Sequence, residues 1–302
     1  MQNTLIVLLG PTGVGKTDLS IAIAEMLNCE IISCDSRQFY REMSIGTAIP
    51  DIVNLKKIRH HFIKFISVID YYSSSLFERD VINLLPSLFK SNNVVLMAGG
   101  SGMYIDAVCE GIDDIPDVDP GIREKYTKKY FEEGLESLQS SLKLLDPEHY
   151  KNVDLKNYKR VIRALEICES TGKPYSGFLK KEKRERSFRI IKIGLERPRE
   201  DLYNRINKRV DSMVSLGLED EARSLQEYKD LNALNTVGYK EFFEYFEGKN
   251  TRDKAIELIK RNTRRYAKRQ MTWWAKDKQI RWFNPEKEDK IFEYLEKVVS
   301  DQ

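Results

Sequence analysis

The octapeptide GPTGVGKT, at residues 10–17, matches the pattern G-x-x-x-x-G-K-T, which is typical of loops that bind nucleotide or diphosphate groups. In such a loop the backbone N–H groups and the start of the following helix hold phosphate oxygens. Lys16 adds a positive charge, and the hydroxyl of Thr17 can coordinate Mg²⁺. The candidate phosphate-binding residues are Gly10, Pro11, Thr12, Gly13, Val14, Gly15, Lys16 and Thr17.

The flanking residues place this loop between a strand and a helix. Residues 4–9 (TLIVLL) form an apolar run of the kind found in buried parallel strands. Residues 18–27 bring apolar side chains onto one face of a helix. A strand, a glycine loop and a helix are the context that phosphate binding requires. We therefore favour a phosphate site over a glycine loop without a ligand.

A second polar cluster begins at Asp35, directly after the predicted strand EIISC at residues 30–34. Proteins that transfer or hydrolyse a terminal phosphate usually have an acid after another apolar strand, where it organises Mg²⁺ and water. Here that strand, NVVLMA at residues 93–98, ends in Gly-Gly-Ser. Asp35 could accept a proton from a bound nucleophile, or it could be a turn residue or helix N-cap. Its place beside the loop favours catalysis.

The order of predicted elements indicates an α/β fold, with a P-loop NTPase-like parallel sheet as the core and a mostly helical insertion domain. A turn-rich linker (DDIPDVDPG) begins at residue 113, helical patterning follows, and strand patterning returns in FRIIKIGL at residues 188–195. We predict a core of residues 1–112 and 188–302, including C-terminal helices and a last short strand at 280–283, and an insertion of residues 113–187. Because parallel strands end at one edge of a sheet, their polar clusters should meet there.

Basic side chains are concentrated in three helical segments. Residues 260–276 include no acid, and four of their basic residues have the spacing of a single helical stripe: Arg261, Arg264, Arg265 and Lys268. This stripe could contact a nucleic-acid backbone, bind the phosphates held by the glycine loop, or simply face solvent. In the second segment Arg205 and Arg209 lie one turn apart, facing either phosphates or neighbouring acids. The third segment, KRVIRALE, begins at residue 159 in the insertion.

Composition excludes some classes of protein. A net charge of +3 does not by itself indicate a polyanionic partner, and the four cysteines lack the spacing of a zinc site. No apolar run approaches the roughly 20 residues that cross a bilayer. We expect reduced thiols, a cytoplasmic protein and no membrane role.

Nine segments in order resemble the tRNA dimethylallyltransferase family, also called isopentenyl-tRNA transferases. They are GPTGVGKT, DSRQFY, MSIGTAIP, RHHF, GGSGMY, RVIRALE, RINKRVDSM, VGYKE and AKRQMTWW, and they extend over nearly the whole chain. The resemblance implies transfer of a dimethylallyl group from dimethylallyl diphosphate to N6 of the adenosine 3′-adjacent to the anticodon, in tRNAs that read codons starting with U. Diphosphate is the leaving group.

The same resemblance implies roles for individual residues. Asp35 is the general base or hydrogen-bond acceptor for the amine; Thr12, Lys16 and Arg209 hold the diphosphate; Thr17 binds Mg²⁺, the implied cofactor. The implied tRNA-binding residues are Asp35, Ser36, Arg37, Gln38, Ser101, Arg123, Lys159, Arg160, Val161, Ile162 and Arg163. Residues 230–235 form a loop that could also contact tRNA. We expect a monomer whose partners are the anticodon stem-loop and dimethylallyl diphosphate.

Three other functions compete with this interpretation. A small-molecule kinase would place ATP in the loop and use Asp35 to activate an alcohol, but it leaves the insertion and the basic stripe unexplained. A related prenyltransferase would use free AMP or ATP as the acceptor. A nucleotide-gated RNA-binding module would catalyse nothing. The chain departs from the family pattern at Lys64, at Asn157-Tyr158 and at Ser101, where Asp, Asp-Pro and Thr are usual.

Overall fold

The structure, a computed structural model, describes residues 2–116, 118–180 and 182–300. The chain divides into two compact units, Met1–Glu110 with Glu185–Gln302, and Gly111–Arg184. The boundaries predicted from the sequence, 112/113 and 187/188, lie a few residues further along the chain. We call the first the sheet unit and the second the helical unit.

The sheet unit contains one six-stranded sheet within the described residues, with the strand order β3-β2-β4-β1-β5-β6. All five neighbouring pairs are parallel, which confirms the predicted P-loop NTPase-like core. The strands are β1 Thr4–Leu9, β2 Ile31–Ser33, β3 His60–His61, β4 Val94–Gly99, β5 Arg189–Leu195 and β6 Arg281–Phe283. The edge strand β3 is not predicted from the sequence, because two histidines make no apolar run.

Helices connect the strands and are the regular secondary structure in the described part of the helical unit. In chain order they are α1 Lys16–Met26, α2 Ile52–Lys57, α3 Ser74–Ser91, α4 Gly102–Glu110, α5 Pro120–Glu133, α6 Leu135–Leu145, α7 Pro147–Asn152, α8 Tyr158–Thr171, α9 Arg199–Ser215, α10 Leu218–Ser224, α11 Tyr239–Phe246, α12 Arg252–Trp274 and α13 Glu288–Ser300. Short 3₁₀ helices lie at Tyr175–Phe178, Gln226–Tyr228 and Asn232–Leu234. Among the residues described, no helix combines the length and apolarity needed to span a membrane.

The central strand β1 explains how the sheet is buried on both faces. Leu5, Val7 and Leu9 pack into one hydrophobic cluster, whereas Ile6 and Leu8 pack into another. Side chains alternate along a strand, so an unbroken apolar run serves the two cores at once. β1 pairs with β4 on one side and β5 on the other, and the loop that follows it therefore starts in the middle of the sheet edge.

The helical unit has a core of its own. Val161 and Leu165 of α8 are fully buried against Leu138 and Leu142 of α6, with Tyr126 of α5 at the side. The helix α8 begins after Asn157, whose side chain accepts a hydrogen bond from the backbone N–H of Arg160. This cap satisfies one of the donors that a helix start leaves without a partner.

Candidate active site

Two adjoining cavities lie at the carboxyl-terminal edge of the sheet, with volumes of about 440 and 610 Å³. The first is lined by the glycine loop, and the second by α9, α11 and α12. Four residues line both cavities: Thr12, Asp35, Arg209 and Tyr266. The polar clusters that the sequence places after separate strands therefore meet in one cleft.

The glycine loop forms the floor of the first cavity. Gly15 has φ +113 and precedes the first turn of α1, a left-handed conformation that favours glycine. The ammonium group of Lys16 donates hydrogen bonds to the carbonyl oxygens of Gly10 (2.8 Å) and Pro11 (3.0 Å). Burial lowers the pKa of Lys16 to about 8; Asp35 opposes this shift and Arg209 adds to it.

Two arginines donate hydrogen bonds to backbone carbonyls of this loop. Arg197 Nε donates to the carbonyl of Val14 (2.8 Å), and Arg205 Nε donates to the carbonyl of Gly13 (3.0 Å). Arg205 and Arg209, one turn apart on α9, both line the first cavity, and only Arg209 also lines the second. Arg209 lines both cavities, and burial lowers the pKa of its guanidinium. Within the described residues Arg209 forms no ion pair shorter than 4.0 Å, so its charge is available to an anion.

Asp35 stands where the two cavities meet. Its Oδ1 accepts the backbone N–H of Arg37 (3.1 Å), so it does act as a turn residue. Its carboxylate also lines both cavities and, in the described part of the chain, takes part in no ion pair. Ser101 holds the next residue: its hydroxyl accepts the backbone N–H of Ser36 (2.9 Å) and lies 3.0 Å from the hydroxyl of Ser36.

Arg37 and Gln38 bind the protein's own backbone. Arg37 Nη1 donates to the carbonyls of Asn232 (2.7 Å) and Ala233 (2.8 Å), and thereby holds part of the loop at residues 230–235. The side-chain amide of Gln38 donates to the carbonyls of residues 47 and 48 and accepts from the hydroxyl of residue 33. These two side chains shape the walls of the cleft.

The basic face of α12 differs from the predicted stripe. Arg261, Arg265 and Arg269, spaced by four, line the second cavity. Arg264 instead donates to Asn207 Oδ1 (2.7 Å), away from that lining, and Lys268 is also absent from it. The four predicted residues do lie on one helix, but only Arg261 and Arg265 of them line this cavity, because spacing alone does not show which side of a helix faces the cleft.

Sequence reasoning missed two residues of α12 that belong to the cleft. Tyr266 lines both cavities, and burial, with Asp35 next in effect, raises its pKa to about 12. Gln270 is buried and hydrogen-bonded to the backbone of Thr12 and Gly100. Gln270 lies within AKRQMTWW, and Tyr266 directly precedes that segment. Both are overlooked because the basic residues around them give the stronger sequence signal. A glutamine on the buried side of a helical pattern is the signal that could have identified Gln270.

The remaining predicted tRNA-binding residues lie on α5 and α8 of the helical unit. Arg123 donates to both carboxylate oxygens of Glu166 (2.6 and 3.0 Å), and Arg163 donates to the same carboxylate (3.3 Å). Val161 and Ile162 are buried in the core. The two exposed basic residues of the KRVIRALE segment are Lys159 and Arg160.

Comparison with known proteins decides the family. The family model described as IPP transferase matches residues 38–277 of the chain. The chain belongs to this family. It is 56% identical over 296 residues to a tRNA dimethylallyltransferase of Bacteroides fragilis, covering 98% of both chains. It is 53% identical over 298 residues to one of Parabacteroides distasonis, covering 99% of this chain and all of that one.

Solved structures of IPP transferase relatives share the fold. The tRNA isopentenylpyrophosphate transferase of Bacillus halodurans matches with a TM-score of 0.71 and 35% identity, over 99% of this chain and 96% of that one. A eukaryotic dimethylallyltransferase described as acting on tRNA matches with a TM-score of 0.76 and 28% identity, over 90% and 70% of the two chains. These matches confirm the resemblance read from the nine sequence segments.

The lining of the first cavity suits a magnesium ion only together with a phosphate ligand. Among the described residues there is no group of three or more His, Cys, Asp or Glu that could hold a metal. Mg²⁺ commonly takes phosphate oxygens and water with only one or two protein ligands. Thr17 and Asp35 both line the first cavity beside the glycine loop. The donor set therefore suits an ion bound mainly by a diphosphate.

Proposed function

We propose that the chain transfers a dimethylallyl group from dimethylallyl diphosphate to N6 of the adenosine 3′-adjacent to the anticodon, in tRNAs that read codons starting with U, and releases diphosphate. One observation carries this proposal: Thr12, Asp35 and Arg209 line both cavities. An anion cradle and a carboxylate thus lie together where two ligands could meet. Membership of the IPP transferase family supports the same reaction.

The glycine loop suits the leaving group. When the allylic C–O bond breaks, its electron pair leaves with the diphosphate, whose negative charge increases. Preorganised N–H groups, Lys16 and Arg209 stabilise that charge as it develops, which is usually the largest contribution to catalysis. The end of β4 supports this role, because Gly99, Gly100 and Ser101 supply no acid to activate a hydrolytic water.

Asp35 suits the acceptor. The N6 lone pair forms the new C–N bond to the allylic carbon, and the amine then carries a proton that it must lose. A carboxylate within reach can accept this proton. The adenine must leave the anticodon stack to reach the cleft, as in other enzymes that act on a base. Tyr266, an aromatic ring beside Asp35 in the lining of both cavities, provides a surface for it.

Mg²⁺ and the tRNA contacts complete the proposal. Thr17 would bind the ion, which when present neutralises part of the diphosphate charge. We propose that tRNA contacts Asp35–Gln38 and Ser101 of the sheet unit, and Arg123 and Lys159–Arg163 of the helical unit. Since Val161 and Ile162 are buried, their contribution is to hold the exposed residues of α8 in place. The arginines that line the second cavity suit the tRNA backbone.

An acceptor panel tests this function. Dimethylallyl diphosphate labelled in the prenyl group is incubated with Mg²⁺ and the protein, together with unmodified tRNA, an anticodon stem-loop, AMP or ATP. We expect label in both RNAs and none in AMP or ATP. Label in the free nucleotides alone would assign the protein to a different prenyltransferase, and no transfer to any acceptor would overturn the proposal. A tRNA with guanosine at the acceptor position is the matched control.

A further inference from the structure

Gln270 joins two loops of the cleft through its side-chain amide. It lies on α12 and is only 6% exposed. Its Oε1 accepts the backbone N–H of Thr12 (2.9 Å), and its Nε2 donates to the carbonyl of Gly100 (2.7 Å). Both ends of the amide are therefore occupied by backbone groups, one from the glycine loop and one from the turn after β4.

The sheet brings these two loops together. β1 and β4 pair in parallel with Leu9 opposite Gly99, so the loops that follow them begin side by side. A Cβ atom on Gly100 would lie 2.5 Å from Gln270 Nε2, which is too close for a real contact. The absence of a side chain at Gly100 is what allows the amide to reach the backbone.

The peptide group between Pro11 and Thr12 is held from both sides. Its carbonyl accepts a hydrogen bond from Lys16 Nζ (3.0 Å), and its N–H donates to Gln270 Oε1. Because a peptide group is planar, fixing its N–H also fixes the direction of its carbonyl. Gln270 thus sets the carbonyl against which the Lys16 ammonium group rests.

The second hydrogen bond leads towards Asp35. Gln270 holds the carbonyl of Gly100, and the next residue, Ser101, donates its backbone N–H to the carbonyl of Cys34 (3.2 Å). The Ser101 hydroxyl accepts the backbone N–H of Ser36 (2.9 Å). Asp35 lies between Cys34 and Ser36, so the turn that Gln270 holds contacts the chain on both sides of the carboxylate.

We propose that Gln270 is a positioning residue for the transfer reaction, which orients the Pro11–Thr12 and Gly100–Ser101 peptide groups. Through them it places Lys16 against the diphosphate and Asp35 against the acceptor amine. The placement of Asp35 in this inference rests on the function proposed above. The placement of Lys16 concerns diphosphate binding, which is measurable without any transfer.

The test compares two variants of Gln270 with a control on the same helix. Gln270→Met keeps the length of the side chain and removes both hydrogen bonds, whereas Thr272→Ala removes an exposed hydroxyl that bonds to Lys268 of its own helix. We expect Gln270→Met to weaken binding of inorganic diphosphate, measured by calorimetry, by ~10-fold, because Thr12 N–H loses its buried acceptor. We also expect kcat to fall by ~10-fold or more while KM for tRNA stays within ~2-fold. The control should match the wild type.

Gln270→Glu provides a pH-dependent rescue. A protonated carboxyl can donate to the Gly100 carbonyl and accept from Thr12 N–H, as the amide does, whereas a carboxylate cannot donate. Diphosphate affinity of this variant, divided by that of the wild type at each pH, should therefore rise as the pH falls from 8 towards 5. A ratio that does not change with pH, or a Gln270→Met protein with wild-type diphosphate affinity and kcat, would overturn the inference. The wild-type protein could transfer no prenyl group while Gln270→Met still weakens diphosphate binding. The proposed function and the placement of Asp35 would then be wrong, and the orientation of the glycine loop by Gln270 would stand.

Discussion

Arg209 in the cleft and Arg123 in the helical unit are both arginines that the sequence suggests for binding, yet their surroundings differ. Arg209, Lys16 and Asp35 form no ion pair shorter than 4.0 Å within the ranges that the structure describes. Arg123 instead forms a two-pronged ion pair with Glu166, a carboxylate that is 1% exposed, and Arg163 contacts the same carboxylate. The cleft keeps its charges apart, and the helical unit pairs them.

The difference indicates where an anionic ligand would bind with the most favourable free energy. Burial lowers the pKa values of Lys16 and Arg209, which means that their charged forms lack the solvation they have in water. A diphosphate would supply the missing counter-charge. In the helical unit that role belongs to Glu166, which connects α5 and α8. Basic residues with the same appearance in sequence therefore have different surroundings: among the described residues Arg209 has no ion-pair partner, whereas Arg123 is paired with Glu166.

Removal of the carboxylate in the cleft should have the largest effect. Asp35→Asn should reduce turnover by ~10²-fold or more, the usual size of a general-base contribution, with tRNA affinity little changed. Diphosphate affinity should be unchanged or higher, because a neighbouring negative charge is gone. Single-turnover transfer and equilibrium binding measure the two quantities. Asp289→Asn, an exposed change on α13, is the control. Near-normal turnover in Asp35→Asn would exclude the role.

Replacing Arg209 and Arg123 in turn tests the difference between the cleft and the helical unit directly. Arg209→Met should weaken diphosphate binding by roughly 10- to 100-fold, since hydrogen bonds to charged groups are the strong ones. Arg123→Met should leave diphosphate affinity unchanged and lower the free energy of unfolding by about 1–2 kcal/mol, because among the described side chains Glu166 would keep only Arg163 as a partner. Calorimetry and thermal unfolding on both variants give the result. Equal effects on diphosphate binding would contradict the distinction between the two regions.

The lowered pKa of Lys16 predicts a pH dependence. Its folded-state pKa of about 8 lies below the ordinary 10.5, so the ammonium group loses its proton as the pH rises above about 8. Diphosphate affinity should then fall by up to ~10-fold per pH unit above that value. Lys16→Arg keeps its charge at these pH values, and dividing by its affinity removes the titration of diphosphate itself. A ratio that stays constant from pH 7 to 9 would show that Lys16 is not perturbed.

Removing charges from the two faces of α12 should produce the smallest effect, a change in the salt dependence of tRNA binding. Replacing Arg261 and Arg265 with Gln should reduce the salt slope of tRNA binding by about 1 for each phosphate that the protein no longer neutralises. Replacing Arg264 and Lys268 with Gln changes the same charge outside the cavity lining and should leave the slope nearly unchanged. Filter binding across a range of salt concentrations compares the pairs. Equal slopes for the two double variants would mean that the cavity-lining face has no special contact with tRNA.

The sequence predicts the sheet unit well because its strands are apolar. Five of the six strands in the described sheet, all but β3, fall where apolar runs predict them, and the glycine loop lies between β1 and α1 as its motif requires. The short polar strand β3 carries no such signal. His61 pairs there with Glu30 (2.6 Å), a contact between residues far apart in sequence.

The candidate site is harder to predict because its geometry depends on which side of each helix faces the cleft. Spacing identifies a basic helix at α12 and includes Arg261 and Arg265, which line the cavity. It also includes Arg264 and Lys268, which do not, and it omits Arg269, which does. Likewise, nothing in the sequence shows that Arg123 has Glu166 as its partner, 43 residues away. Motifs identify the glycine loop, and packing decides what each remaining charge faces.

The division of roles proposed for the cleft is that the glycine loop holds the group that leaves, while the new bond forms at carbon. It is tested most directly with dimethylallyl diphosphate carrying ¹⁴C in the prenyl group and ³²P in the diphosphate, incubated with unmodified tRNA and Mg²⁺. We predict that ¹⁴C enters the tRNA and that ³²P is released as free diphosphate in equal amount. Entry of ³²P into tRNA, or release of diphosphate without transfer of ¹⁴C, would contradict the claim.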